Sequence, residues 1–526
     1  MTNPEIFVIM VLYMCAVIGI GIYFYKRAQK SSENYFLGGR SLGPWVTAMS
    51  AEASDMSGWL LMGLPGVAYW CGLADAFWTA VGLAIGTYIN WLIVAKRLRN
   101  YSQIAGNSIT VPDFFSNRFK EKKKIVLGIS SVFILIFFAV YASSCFVTVG
   151  KLFNTLFGFD YHVTLIIGAI FVVAYTLIGG FLAESVSDFM QAIVMICALL
   201  TMIVVGIVYA GGFDEVIANS KDIPGFFSLN EIASPATDAN GTQLSLLGTP
   251  LFGDADAYGF LTIISTLAWG LGYFGMPQVL LRFMAIRSSK EIKRSRIIAS
   301  SWCVISLAAA VIIGLMGRSL LPVNETLATK SGAESILIVM STEYLPLIVA
   351  GLIMAGILAA TISSSDSYLL IASSSVSVNI YQGIIKKGDK ANDKEVMWIS
   401  RIVLVVIAIV GIIIAWKEDS IIFSLVSFAW AGFGATFGPI MLFSLFWKRT
   451  TRTGAIAGMV TGGVTVFVWK LVLKALLADS MPIFGLYELL PAFILSAIAI
   501  VVASLLSKKP SEEIIKDFEE AKTASF

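Results

Sequence analysis

Long apolar segments recur along the whole chain and are separated by polar linkers. A membrane-crossing helix needs about 20 mostly apolar residues, and most segments approach or exceed that length. Strands of about ten residues that alternate apolar and polar positions, as in a membrane β-barrel, are absent from the sequence. The pattern therefore predicts an all-α, polytopic membrane protein with 13 transmembrane helices. Their predicted limits are 6–25, 43–70, 73–95, 125–152, 162–184, 188–210, 258–281, 297–320, 344–380, 400–416, 420–446, 453–475 and 483–506.

Composition supports this class of protein. The chain has 526 residues, of which 57% are hydrophobic and 13% are charged. Soluble proteins carry about 25% charged residues, so a soluble enzyme, a nucleic-acid-binding protein and a disordered scaffold are excluded. His162 is the single histidine, and the sequence contains no CxxC or HExxH motif. Zinc or histidine-based catalysis is therefore not expected, and we predict that the protein is not an enzyme.

Lys and Arg residues gather in alternate linkers, which hold 30 of the 37 in the chain. Because positively charged linkers stay in the cytoplasm, we predict a multi-pass protein of the plasma (cytoplasmic) membrane. Its N-terminus is expected outside and its C-terminus in the cytoplasm. The polar segment 212–257 then becomes an external loop that can hold a short surface helix. We expect residues 1–507 to form a single transmembrane transporter domain and residues 508–526 a short cytoplasmic tail.

Two carboxyl side chains lie within the second apolar segment. Glu52 and Asp55 stand among small and polar residues, with Gly and Pro on both sides. A carboxylate at this depth costs about 2.5–3.5 kcal/mol on insertion scales, and many transporters bind their substrates where a membrane helix is interrupted. We therefore interpret this segment as a broken helix with a functional site. The alternative is a tightly packed helix interface made of small residues.

Glycine and proline also interrupt the seventh segment, where Gly270, Gly272, Gly275 and Pro277 lie close together. Proline removes a backbone donor, and glycine weakens a helix by about 1 kcal/mol relative to alanine. This segment is therefore predicted to be a second broken helix, and Arg282 is assigned to the linker that follows it. The aromatic residues among these positions either pack in lipid and core or line a substrate site. They are Trp269, Tyr273 and Phe274.

The second and seventh segments are five helices apart. That is the spacing of equivalent first helices in two five-helix inverted repeats. We therefore predict inverted repeats at about 43–210 and 258–446. This prediction rests on topology, because the two regions share no strong residue-level identity.

Hydroxyl groups crowd the middle of the ninth segment between Thr361 and Ser367. Ser and Thr side chains often bond back to their own helix, which is one interpretation of the cluster. A small hard cation, however, prefers hydroxyl, carbonyl and carboxylate oxygens. A hydroxyl-rich helix that faces unwound carbonyls can therefore bind a dehydrated alkali cation.

Several motifs carry a family resemblance over about residues 5–505, and the most specific is Ala53–Gly66. The others are Gly38–Pro44, Gly179–Ala183 with Asp188 and Gln191, Leu267–Gly275 and Ile357–Ala360. With these motifs the chain resembles the sodium/solute symporter family, and within it the sodium/proline symporters. The resemblance implies 13 helices around a five-plus-five inverted-repeat core of the leucine-transporter type, with helices 2 and 7 broken.

The resemblance also implies the residues of the site. The sodium ligands would be the carbonyls of Ala53, Met56 and Ala360 and the hydroxyls of Ser363 and Ser364. Cation support and coupling would come from Asp55, Ser57, Asp188 and Arg40. Substrate contacts would come from Gly58, Trp59, Tyr141, Trp269, Tyr273 and Pro277.

The sequence departs from the family pattern at four positions. Glu52 stands where a small residue is expected, and its charge is either buried near the cation or faces the cytoplasmic cavity. Met276 and Gln278 replace other polar residues beside Pro277, which bears on the choice of substrate. Ser364 stands where threonine is usual, but it keeps the hydroxyl.

The function that the resemblance implies is sodium-coupled uptake of L-proline by alternating access. Its partners would be L-proline, Na⁺ and the lipid bilayer, with no nucleic acid and no obligatory protein partner. Sodium would be the coupling ion, and no cofactor is expected. The alternatives are a sodium symporter of the same fold for another small solute, such as pantothenate or another amino acid, and a transporter-like sensor.

Overall fold

Helices account for most of the chain, as the apolar pattern predicts. The computed structural model describes residues 4–28, 32–386, 392–478 and 480–526. We number its α-helices α1 to α22 in chain order. The first eleven are α1 (Pro4–Ala28), α2 (Ser32–Leu37), α3 (Pro44–Asp55), α4 (Leu64–Cys71), α5 (Leu73–Ile89), α6 (Ala95–Ile104), α7 (Val111–Arg118), α8 (Ile125–Phe157), α9 (Tyr161–Ala210), α10 (Phe213–Ala218) and α11 (Phe260–Leu267). The others are α12 (Trp269–Gly272), α13 (Pro277–Ala285), α14 (Ile292–Leu320), α15 (Ile336–Tyr344), α16 (Leu347–Ser374), α17 (Asp393–Ile414), α18 (Ile422–Phe446), α19 (Arg452–Val468), α20 (Lys474–Leu477), α21 (Leu489–Leu506) and α22 (Glu512–Thr523).

Shorter helical segments lie between several of these helices. The π-helical ones are Trp59–Gly63, Asn90–Val94, Ser375–Ile385 and Trp469–Leu473. The 3-10 ones are Gly38–Arg40, Ser289–Glu291, Gly332–Ser335 and Pro482–Gly485.

Twelve helical stretches in the described part of the chain are long and apolar enough to cross a membrane. They are Pro4–Tyr23, Leu73–Ile104, Ile125–Phe157, Tyr161–Ile178, Gly180–Ala210, Phe260–Ala285, Ser289–Leu320, Leu347–Ile385, Asp393–Ile414, Ile422–Phe446, Arg452–Leu477 and Leu489–Leu506. The predicted segment 43–70 is not among them. It forms two short helical parts, Pro44–Asp55 and Trp59–Cys71, so neither part alone has the length of a span.

Three predicted boundaries differ from the structure. The linker predicted between 184 and 188 is helical, because α9 continues through it and leaves helical geometry earlier, at Gly180 with φ 62°. The third segment continues beyond 95 to Ile104. The first basic residues of the linker predicted after it therefore lie on a helix rather than in a loop. The seventh segment continues to Ala285 and therefore includes Arg282.

The segment 212–257 contains short strands as well as the short surface helix α10. Strand β1 (Glu231–Ile232) pairs antiparallel with β4 (Asp256–Ala257), and β2 (Ser245–Leu246) pairs antiparallel with β3 (Thr249–Pro250). The sequence analysis did not predict these strands, because each is only two residues long and has no periodic pattern.

The interior of the bundle lies around α16 and α18. Every residue of α16 from Ile353 to Ser374 is buried, including its whole run of hydroxyl groups. The outer helices instead expose large apolar side chains, such as Leu12 of α1 and Ile413 of α17. An apolar exterior around a core that contains polar groups is the arrangement expected of a membrane protein. The two interrupted segments, 44–71 and 260–285, pack against this interior.

Candidate functional site

The helical segment 44–71 is interrupted after Asp55. Met56 takes φ −90° and ψ 78°, which ends α3, and helical structure resumes at Trp59. Gly58 lies in the gap, where a Cβ atom would stand 2.3 Å from Thr148 Oγ1 on α8. The close approach of α8 therefore requires glycine at this position. The interruption frees backbone carbonyls at the end of α3 from intrahelical hydrogen bonds.

One of these carbonyls faces the hydroxyl-rich helix α16. Ser363 Oγ and Ser364 Oγ donate hydrogen bonds to Ala53 O at 2.9 Å and 3.1 Å. Ser363 Oγ also lies 3.2 Å from Ala360 O. The structure thus brings together four of the five predicted sodium ligands, and all four residues are fully buried. Two carbonyl and two hydroxyl oxygens form a donor set that suits a small hard cation.

Met56, the fifth predicted ligand, lies at the end of α3 beside this group. Its amide donates to Glu52 O at 2.8 Å, and its sulfur lies 3.7 Å from Ser306 Oγ. Met56 is therefore close in sequence to Ala53, but its described hydrogen bonds go to Glu52 and Ser306 and to none of the four oxygens.

The segment 260–285 is interrupted at Tyr273–Met276, between α12 and α13. Met276 takes φ −74° and ψ 108°, and Pro277 starts α13 at the first helical position, where its missing N–H is no loss. Gly275 lies in the gap, and a Cβ atom there would stand 2.3 Å from Phe433 O on α18. Both interruptions therefore carry a glycine that lets another helix approach closely.

Asp55 connects the two interruptions. Its Oδ1 accepts a hydrogen bond from Gln278 Nε2 at 3.3 Å, just after the start of α13. Its carbonyl accepts from Trp59 Nε1 and from Tyr141 Oη, each at 3.2 Å. Ser57 is also buried here, and its hydroxyl has no hydrogen-bond partner among the described residues. A change at Asp55 can therefore reach both broken segments.

Aromatic rings cover one side of these interruptions. The rings of Trp59 and Trp269 stack with centroids 6.2 Å apart. Trp269 also stacks on Tyr487 at 5.2 Å and contacts Phe423 at 5.3 Å. Its carbonyl accepts from Trp430 Nε1 at 2.8 Å. These contacts join the first broken segment, the second broken segment and α18 into one apolar group.

The remaining predicted substrate residues border this aromatic group. Tyr273 meets Trp430 edge-on at 5.0 Å, and its carbonyl accepts from Asn90 Nδ2 at 3.0 Å. Tyr141 stacks on Tyr368 of α16 at 4.2 Å. Pro277 starts α13 and has no aromatic side chain, so its role is to end the interruption.

Asp188 belongs to a second polar group, which is charged. Arg282 Nη2 donates to Asp188 Oδ2 at 3.0 Å and forms an ion pair with Glu184. The same guanidinium bonds to Ser50 Oγ of α3 at 3.0 Å and to Ser367 Oγ of α16 at 2.9 Å. Ser50 Oγ in turn donates to Asp188 Oδ2 at 2.7 Å. Four elements are therefore joined by one buried arginine.

The prediction that Arg282 lies in a linker is wrong. Arg282 is fully buried inside α13, because α13 extends the seventh segment by one turn and its acidic partners lie on α9. Glu184, Ser50 and Asp366 of this group were also missed. The available signal was an acidic residue inside an apolar segment, which holds for Glu184 and Asp366 as it does for Asp55.

Arg40 joins the ends of several segments. Its guanidinium donates to Met284 O at 2.6 Å near the end of α13. It also donates to Ser108 O at 2.8 Å and to the side chains of Ser102 and Asn107, each at 3.1 Å. The described hydrogen bonds of Arg40 thus go to none of the four oxygens above. Arg40 holds the end of α13 instead.

Glu52 is buried within α3, one turn before Asp55, and does not face an open cavity. Its Oε1 accepts a long hydrogen bond of 3.4 Å from Trp91 Nε1. Its Oε2 has no partner in the described part of the chain. Glu52 is therefore buried, and whether it lies near the cation stays a prediction.

Two broken helices that enclose buried carbonyl, hydroxyl and aromatic groups define a secondary transporter with its site at the interruptions. Comparisons agree with this class. The model of the sodium:solute symporter family matches residues 35–462. A sodium/proline symporter of Staphylococcus aureus (strain USA300 / TCH1516) is 41% identical over 522 residues, which cover 99% of this chain and 96% of the relative. The chain belongs to the sodium:solute symporter family.

Solved structures show the same fold. A Na⁺-coupled sialic acid symporter, in a substrate-bound outward-open state, has a TM-score of 0.71 at 20% identity and covers 97% of this chain and 99% of its own. A nucleobase-cation-symport-1 family transporter in a closed conformation has a TM-score of 0.52 at 12% identity, covering 93% of this chain and 99% of its own. The chain is therefore a multi-pass membrane transporter with sodium as its coupling ion, and the prediction that it is not an enzyme is confirmed.

Proposed function

We propose that the protein takes up L-proline together with Na⁺ by alternating access. The observation that carries this proposal is the convergence of Ala53 O, Ala360 O and the hydroxyls of Ser363 and Ser364 beside a helix interruption. The similarity to a sodium/proline symporter over nearly the whole chain supports proline as the substrate.

Sodium joins α3 to α16 in this proposal. Without the ion, the two serine hydroxyls donate to Ala53 O. When sodium arrives, Ala53 O coordinates it instead, and the hydroxyl protons rotate away so that the serine oxygens can also face the ion. The ion then bridges the two helices with stronger, charge-assisted contacts than the hydrogen bonds it replaces. We assign the carbonyl oxygen of Met56 as the fifth ligand of the sodium ion. Asp55 and Ser57 stabilise the positive charge from the neighbouring turn, and Asp188 assists passage of the cation.

Proline binds at the aromatic group. Its apolar ring packs between Trp59 and Trp269, whose centroids lie 6.2 Å apart in the stacked pair, so these rings must part to admit it. Its carboxylate is attracted to the free N–H groups of the first helical turns that begin at Trp59 and, after the proline itself, behind Pro277. Gly58, Tyr141 and Tyr273 complete the contacts.

Coupling follows from the hydrogen bond between Asp55 and Gln278. Sodium orders the interruption after Asp55. Because Gln278 donates to Asp55, the start of α13 is then held in place as well, and proline makes part of its contacts there. By linkage, proline then raises the affinity for sodium by the same factor. The driving force is sufficient, because one charge moving through 100 mV yields about 2.3 kcal/mol. Arg40 holds the inner end of α13 until the core reorients.

The finer architecture is part of the proposal. Counting Pro44–Cys71 as one broken span adds a thirteenth crossing to the twelve candidate spans, one of which, α11–α13, is the other broken span. Inverted repeats then occupy about 43–210 and 258–446. An odd number of crossings is consistent with an N-terminus outside, a C-terminus in the cytoplasm and the basic linkers inside. The chain acts in the plasma membrane without an obligatory protein partner.

The test is uptake of labelled L-proline by proteoliposomes with an inward sodium gradient. We expect accumulation above equilibrium with sodium and none with a potassium gradient of equal size. Uptake that never exceeds equilibrium would contradict symport. A panel of unlabelled competitors, including other amino acids and pantothenate, identifies the substrate, because only the true substrate and close analogues compete at low concentration.

A symporter of the same fold for another small solute is the second candidate. The observation that favours it is Gln278, which bonds Asp55 at the start of α13 where the proline carriers have a different polar residue. If a competitor other than proline blocks uptake at lower concentration and is itself accumulated, that solute is the substrate.

A further inference from the structure

The end of the chain is a docked helix rather than a free tail. α22 begins after Ser511, whose hydroxyl accepts from Ile514 N at 3.5 Å, and packs against α6. Phe518 and Ala521 on its inner face are each 2% exposed. Polar and charged side chains occupy its other face. A short charged helix needs tertiary contacts to stay folded, and these two residues supply them.

Cationic side chains surround the buried ring of Phe518. The guanidinium carbons of Arg97 and Arg118 lie 5.2 Å and 5.3 Å from its centroid, and the ring of Tyr101 meets it edge-on at 6.3 Å. Cation–π contacts of this kind are attractive, and more so where the ring is shielded from water. All three residues belong to α6 or α7, so α22 bridges two inner segments.

Lys120 adds ion pairs to the first turns of α22. Its Nζ lies 2.8 Å from Glu513 and 2.8 Å from Asp517. Hydrogen bonds to Asp517 and Glu513 raise the pKa of Lys120, so the lysine stays charged at any physiological pH. The side chain of Lys120 is partly exposed, and these pairs therefore weaken as salt is added.

The residues after α22 join two other segments. Asn100 of α6 donates to Ala524 O at 2.7 Å and accepts from Phe526 N at 3.5 Å. Phe526 O accepts from Ser289 N at 2.7 Å, and Ser288 Oγ lies 3.4 Å away. The last residues thus connect α6 to the turn that leads into α14.

The turn that leads into α14 comes directly after α13. Arg99 Nε donates to Ile286 O at 2.6 Å, and Arg287 N donates to Leu42 O at 3.0 Å. Leu42 N also donates to Ala285 O at 3.3 Å. The inner ends of α3, α6 and α13 are therefore held together. The residues after α22 add further contacts to the same group, through Asn100 and Ser289.

We propose that residues 512–526 form an inner latch, which holds the cytoplasmic ends of α6 and α13 together and must detach before the transporter opens inward. Opening separates these segments, and their separation breaks the contacts of Asn100 and Ser289 with the end of the chain. The latch sets how often the inner side opens when the sodium and proline sites are empty. This inference rests on the proposed function for alternating access and for the cytoplasmic position of these helix ends, but not for the identity of the substrate.

A cysteine at the inner half of α3 reports the opening directly. Thr47 is fully buried in α3, so Thr47→Cys reacts with a membrane-impermeant maleimide only when the inner side opens. The rate is measured in inside-out vesicles, relative to the parent without the added cysteine. We expect the double variant Asn100→Ala, Phe518→Ala to label at least fivefold faster without sodium or proline. Lys120→Gln, which removes only surface ion pairs, is expected to speed labelling about twofold.

Lys516→Ala is the matched control, because Lys516 lies exposed on the outer face of α22. Combined with Thr47→Cys, its labelling rate should equal that of Thr47→Cys alone. Unchanged rates in the double variant and in Lys120→Gln, at an unchanged melting temperature, would overturn the latch. If the double variant does not fold, the rate of Lys120→Gln alone decides the question.

Labelling requires no transport, so the latch can fail while sodium-driven proline uptake stands. It can also stand if another solute is the substrate.

Discussion

Two polar layers lie one helical turn apart on the same pair of helices. In the upper layer, Ser363 and Ser364 of α16 face Ala53 of α3, and every oxygen belongs to a neutral group. In the lower layer, Ser367 of α16 and Ser50 of α3 bind the guanidinium of Arg282. The lower layer therefore contains its own fixed cation, whereas the upper layer offers similar oxygens without one.

The difference shows why acidic residues alone do not mark an ion site. Glu184 and Asp188 are buried carboxyl groups beside the core, yet Arg282 pairs with one oxygen of each. A buried ion pair of this kind need not stabilise the fold, but removing one partner is costly. We infer that the lower layer couples α3, α9, α13 and α16, while the upper layer is where a mobile cation enters.

The largest effect is expected for Arg282→Met. The change leaves two buried carboxylates without their cation, which costs about 3–5 kcal/mol. The measurement is thermal unfolding of the purified protein in detergent, and the melting temperature should fall well below that of the control. The control is Arg287→Met, because Arg287 forms an exposed pair with Glu291 at 2.6 Å, which water and salt screen. Equal melting temperatures for the two variants would refute the assigned role of Arg282.

Asp55→Asn is expected to raise the half-saturating sodium concentration about 100-fold, which corresponds to ~2.8 kcal/mol. The amide can still accept from Gln278, so the loss isolates the negative charge beside the upper layer. Sodium dependence of proline uptake gives the measurement. Asp75→Asn is the control, since Asp75 is also in a membrane helix but bonds Tyr258 Oη at 2.9 Å near the outer end of α5. A normal sodium requirement in Asp55→Asn would remove Asp55 from the site.

The double change Ser363→Ala, Ser364→Ala is expected to raise the sodium requirement about tenfold, or ~1.4 kcal/mol. It removes two of the proposed ligands but keeps both carbonyls. Sodium-dependent proline uptake is again the measurement. The matched control is Ser365→Ala, because Ser365 Oγ donates to Thr361 O of its own helix at 2.6 Å. If Ser365→Ala has the larger effect, the cation lies on the other side of α16.

The sequence was sufficient to predict the upper layer. Ala53 lies in a family motif, the resemblance implies Ser363 and Ser364 just after another, and the contacts follow once α3 ends at Asp55. The lower layer was not predictable in the same way. Arg282 lies three residues before the end of the helix, and its partners Glu184 and Asp188 are 98 and 94 positions away. A span boundary drawn one turn early was therefore enough to place it in a loop.

Broken helices affect the counting of spans for a related physical reason. Hydropathy along 43–70 is continuous enough to predict one span, but the Met56 dihedral angles divide it. The opposite happened at α9, where the predicted limits left a linker between 184 and 188 although the helix continues through it. Glu184 and Asp188 at its two edges both pair with Arg282, which no local pattern reveals.

The smallest effect is expected for Glu52→Gln, which tests whether the upper layer is confined to neutral ligands and Asp55. Glu52 is buried one turn from Asp55, and its described hydrogen bond goes to Trp91 rather than to any of the four oxygens. The amide oxygen of glutamine can accept the same bond, so we expect less than a threefold change in the sodium requirement, or below about 0.7 kcal/mol. The same sodium titration measures it, with Glu52→Ala to separate loss of charge from loss of volume. A tenfold rise in the sodium requirement of Glu52→Gln would make Glu52 a charged partner of the ion. The two layers would then differ in the sign of their fixed charge, one anionic and open to sodium, the other already occupied by arginine.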